Sequence, residues 1–70
     1  MSNRKLILKA ALDKYEAQKS EALAHLEILF ENSVGIGEHS EIMVEVNKWV
    51  ESLSQAEENI QTLDKFFKEK

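Results

Sequence analysis

The run Ile42-Met43-Val44-Glu45-Val46-Asn47-Lys48-Trp49-Val50-Glu51-Ser52-Leu53-Ser54-Gln55-Ala56-Glu57-Glu58-Asn59-Ile60-Gln61-Thr62-Leu63-Asp64-Lys65-Phe66-Phe67 carries the pattern on which the fold turns. Ile42, Val46, Trp49, Leu53, Ala56, Ile60, Leu63 and Phe67 stand alternately four and three residues apart. On a helix of 3.6 residues per turn that spacing draws one apolar stripe, the seam of a coiled coil. Upstream, Leu8, Leu12, Tyr15, Lys19, Ala22, Leu26 and Leu29 keep the same rhythm. Between the two stripes lie the only glycines, Gly35 and Gly37, and the chain contains no proline. Gly35 can take the left-handed backbone conformation that closes a helix, where a residue with a β-carbon is strained.

These features predict an all-α antiparallel two-helix hairpin, a coiled coil that dimerises into a four-helix bundle. Residues 1–70 form one domain, with a helix over about 3–32, a loop over 33–39 and a helix over about 40–67. Ser2 or Asn3 is placed to cap the first helix, and Glu41 stands near the positive end of the second. Val34 and Ile36 are expected to fold over the closed end.

An antiparallel pair sets the a positions of one helix against the d positions of the other. Residues whose numbers sum to 75 then match as Leu8 with Phe67, Leu12 with Leu63, Tyr15 with Ile60, Lys19 with Ala56, Ala22 with Leu53, Leu26 with Trp49, and Leu29 with Val46. The one cation in the stripe falls opposite a small residue. The Lys19 stem can lie over Ala56 while its ammonium reaches outward between Glu16 and Glu57.

A seam of two helices leaves its flanks open, and the flanks differ. The e positions near the loop are Leu23, Phe30, Met43 and Val50; toward the open end they are Lys9, Glu16, Glu57 and Asp64. The g positions are largely polar (Gln18, His25, Asn32, Glu45, Ser52, Asn59), with Ala11 and Phe66 as exceptions. A continuous apolar patch beside the seam predicts an association surface at Leu23, Phe30, Met43 and Val50. A second copy is the simplest occupant, because identical hairpins are always available to one another. Short chains also need reinforcement, and with no cysteine present disulfides cannot supply it.

Composition excludes several function classes. Thirteen acidic and nine basic residues give a net charge of -4, with both signs in each half of the sequence. Arg4, Lys5 and Lys9 are the densest basic stretch, too little to expect nucleic acid as the partner. No apolar run approaches the ~18 residues of a membrane span, and Lys9 and Asp13 interrupt the N-terminal apolar segment, so no secretory signal and no membrane partner are expected. The absence of cysteine suits a cytoplasmic setting. His25 and His39 lack metal-ligand spacing, and the register sets His25 opposite Ser52 as a surface residue. Gly35-Ile36-Gly37 lacks the further glycine, the lysine and the preceding strand of a phosphate cradle. No catalytic triad or dyad is present. The expectation is therefore no enzyme, no metal and no cofactor.

The stretch Tyr15-Glu16-Ala17-Gln18-Lys19-Ser20-Glu21-Ala22-Leu23, followed by Asn32-Ser33-Val34-Gly35-Ile36-Gly37-Glu38-His39, resembles small uncharacterised proteins of tailed bacteriophages and related viral genomes. The Val-Gly-Ile-Gly-Glu-His turn is its distinctive part. The resemblance implies a viral origin, a host-cytoplasmic location and a helical hairpin, and it carries no activity. A proline often follows the histidine in that set; Ser40 stands there here, which puts the same capping of the second helix in doubt.

The functional expectation is a non-enzymatic protein-interaction or structural module, a homodimer or higher homo-oligomer that binds a further protein, such as a phage-encoded accessory protein. The alternative is a nucleic-acid-associated factor in which dimerisation gathers Arg4, Lys5, Lys9 and Lys68 into a basic end.

Overall fold

The computed structural model describes residues 3–32 and 39–67. All of them are helical: α1 spans Asn3–Asn32 and α2 spans His39–Phe67. The second helix begins one residue before the expected boundary, within the usual scatter of helix ends. Gly35 and Gly37, with Val34 and Ile36, lie outside the described residues.

Both helices are rich in Ala, Leu, Glu, Lys and Gln and contain neither glycine nor proline, so no residue interrupts the backbone ladder. Their ends are supported unequally. α2 has Glu41 in its first turn and Lys65 in its last, each opposing the helix dipole. α1 has no acid in its first turn and no base in its last. Its apolar residues also spread around the cylinder, since Leu6, Ile7 and Ile28 are all exposed. The order of α1 therefore leans on packing against α2 more than on its own sequence.

Three contacts give the antiparallel sense. Arg4 Nη2 lies 3.5 Å from the Phe67 carbonyl, Gln18 Nε2 donates to the Ser52 carbonyl at 3.0 Å, and the His25 and Trp49 rings stack at 3.9 Å. As the α1 number rises, the α2 number falls. The result is a hairpin-like rod of 55 × 17 × 15 Å.

Among the described residues only Ala22, Leu26 and Ala56 are buried, at 0%, 6% and 0% exposure. Two alanines without accessible surface in mid-rod mean the helices approach closely there. Leu8, Leu12, Tyr15, Lys19, Leu29, Ile42, Val46, Trp49, Leu53, Ile60 and Leu63 are half-buried along the same inner stripe. Phe67, the last member of the stripe, stays 48% exposed, because α1 supplies only its first turn to cover it. Two helices have too little surface to enclose more than this, so the core is thin.

Candidate interaction surface

The flanks of the rod are built from the positions on either side of the stripe. On the g flank, Gln18 Nε2 donates to both the carbonyl and the hydroxyl oxygen of Ser52, at 3.0 and 3.3 Å. A turn nearer the loop, the His25 imidazole lies on the Trp49 indole, with centroids 3.9 Å apart and planes within 2°. Lys48 Nζ stands 4.9 Å from the centroid of that indole. His25 therefore stacks on Trp49, and Gln18, not His25, meets Ser52. The spacing of the sequence could not separate the two, because both partners lie within one turn of each other on α2. Trp49 is thus shielded on the g side by a ring, which an ordinary surface histidine would not provide.

The e flank has a charged half and an apolar half. At the open end Lys9 pairs with Asp13 at 2.7 Å, one turn along α1, a spacing visible in the sequence as an i,i+4 pair. In mid-rod Lys19 Nζ lies 3.9 Å from a Glu57 carboxylate oxygen. Of the two acids expected to bracket it, Glu57 is the one Lys19 reaches. Both partners are solvated, so the pair contributes about 0–1 kcal/mol. Beyond it toward the loop the flank is apolar. Leu23, Phe30, Met43 and Val50 are 45%, 59%, 60% and 42% exposed. Their heptad positions set Leu23 beside Val50 and Phe30 beside Met43, across the seam from one another.

A second apolar surface lies at the other end and on the other side. Arg4, Ile7, Leu8, Ala11, Leu63 and Phe67 line a groove of about 330 Å³ at the open end. Ile7 at its lip is 68% exposed, and Phe66, on the same flank, is 65% exposed. The groove was not read from the sequence. Its signal was available in Ile7, off the stripe, together with Ala11 and Phe66, the apolar exceptions on the g flank.

Among the described residues no cluster of three His, Cys, Asp or Glu side chains could hold a metal ion. No described helix is long and apolar enough to cross a membrane. No protein-family model matches this sequence, and no curated protein or solved structure matches it either.

Proposed function

We propose that this chain is a non-enzymatic interaction module whose two helices pack as a coiled coil and whose loop-proximal e flank binds a second copy, so that four helices share one core. The supporting observation is the exposure of Leu23, Phe30, Met43 and Val50 side by side on a rod with only three buried residues among those described. Each of the four is already about half covered. Completing the burial contributes roughly 1 kcal/mol apiece, or about 4–8 kcal/mol for four to eight such side chains across an interface. The cost of fixing two bodies together is about 4–15 kcal/mol. The two ranges overlap, so these terms exclude picomolar association. A phage-encoded accessory role, with a host protein as a further partner, rests only on the resemblance carried by Tyr15–Leu23 and Asn32–His39.

Sedimentation velocity across micromolar concentrations tests the reading. Wild-type chain should sediment faster as concentration rises. Leu23→Glu should remain helical and sediment as a monomer. A wild-type chain that stays monomeric throughout would remove the proposal.

A further inference from the structure

The charges, mixed in each half of the sequence, separate once the chain is folded back. Among the described residues of the loop-proximal half, 20–32 and 39–51, Glu21, Glu27, Glu31, Glu41, Glu45 and Glu51 face a single base, Lys48. In the open half, 3–19 and 52–67, Arg4, Lys5, Lys9, Lys14, Lys19 and Lys65 outnumber Asp13, Glu16, Glu57, Glu58 and Asp64 by one.

The separation is sharper around the two apolar surfaces. Continuing the heptad outward from the loop-proximal e flank, the next positions on the helix surfaces carry Glu27, then Glu31 and Glu51, and no lysine or arginine. Continuing outward from the open-end groove on the g flank, the neighbouring g and c positions among the described residues carry Arg4 and Lys14 and no acid. Farther round that half, Glu58 and Lys65 offset one another. One apolar surface is therefore rimmed by anions, and the other by cations. They lie at opposite ends of the rod and on opposite flanks.

We propose that the loop-proximal flank of one copy, centred on Leu23, Met43 and Val50, docks into the open-end groove of a second copy, lined by Ile7, Ala11 and Phe67. This rests on the self-association reading and names the surface that receives the flank. A symmetrical pair joining two loop-proximal flanks would set two acidic halves together, and it would leave the groove of each copy uncovered. The unlike pairing covers apolar surface with apolar surface and sets acids against bases. An interface between two different surfaces is heterologous, so each copy keeps one free surface of each kind and assembly continues beyond two copies unless a ring closes.

The test uses the full chain in three forms: wild type, Ile7→Glu and Val50→Glu. Mass is read by sedimentation or light scattering, and helix content by circular dichroism. Either glutamate that lowers the helical signal is replaced by Ile7→Gln or Val50→Gln. Wild type should grow in mass with concentration. Each variant alone should stay monomeric, because each has lost one of the two unlike surfaces. An equimolar mixture of the two variants should form a pair of twice the monomer mass, since the intact flank of one meets the intact groove of the other. Raising salt from about 0.05 to about 0.5 M should weaken wild-type association several-fold through screening. An Ile7→Glu chain that associates as wild type does would overturn the groove while leaving self-association standing. Two variants that remain monomeric when mixed, or an association that strengthens with salt, would overturn it equally. A monomeric wild type would remove both readings.

Discussion

At the same height on the rod, Gln18 reaches Ser52 and His25 lies on Trp49 on one side, while on the other Leu23 and Val50 stay exposed. The two flanks are made by the same pair of helices over the same seam. They differ in what closes them. Polar and aromatic contacts between the helices close the g flank in mid-rod, whereas Leu23 and Val50 on the e flank remain 45% and 42% exposed. A polar side chain finds its partner within the hairpin and stabilises it. An apolar side chain at the corresponding position finds too little surface there and stays about half exposed. In mid-rod, then, one flank carries contacts that stabilise the hairpin, and the other presents the apolar surface proposed to associate.

The comparison can be broken in several ways. The largest effect belongs to the seam beneath both flanks. Leu26→Ala should cost about 2–4 kcal/mol in urea unfolding. A chain of this size has only a few kcal/mol to lose, so much of the population should be unfolded in buffer. A loss no greater than that of a flank contact would mean the flanks do not rest on a shared core. Next, Gln18→Ala should destabilise the hairpin by about 1 kcal/mol. Leu23→Gln, measured at concentrations where the chain is monomeric, should change it by under about 0.5 kcal/mol. The reverse order would invert the assignment of the flanks. His25→Ala removes the stacked ring and should cost about 0.5–1 kcal/mol. The fluorescence of Trp49, the only tryptophan, should shift to longer wavelength as its g side becomes wet; an unmoved spectrum would show that the stack does not shield it. Smallest of all, Lys19→Met should alter stability by no more than about 0.5 kcal/mol in either direction, because a solvated ion pair is exchanged for a better-packed stem.

The hairpin could be read directly from the three-and-four spacing, because the two stripes have nearly equal length and the glycines stand only between them. Every described stripe position from Leu8 to Leu63 is buried or half-buried, and Ala11, Gln18, Ser52 and Asn59 beside it on the g flank are half-buried too. The approach of Lys19 to Glu57 was also within reach of register arithmetic, which fixes height along the rod. What arithmetic leaves open is lateral offset. Whether His25 meets Ser52 or Trp49 depends on how the cylinders roll against one another, and a roll of part of a turn exchanges the partners. The open-end groove was hidden for a different reason. It is made by the incomplete cover over Phe67 and by Ile7, a residue outside the stripe, and a seam-based reading gives neither any role.

The layer in which the heptad register sets Lys19 opposite Ala56 bears on how the connecting segment can vary. Sliding one helix by a heptad keeps every stripe position in the stripe, but it sets the Lys19 ammonium stem against Trp49 or Leu63 in place of an alanine. Both are far bulkier than alanine and would crowd the lysine stem. Alignment is thereby stored in the body of the rod, and lengthening the connection between the helices should change its reach without changing which residues meet.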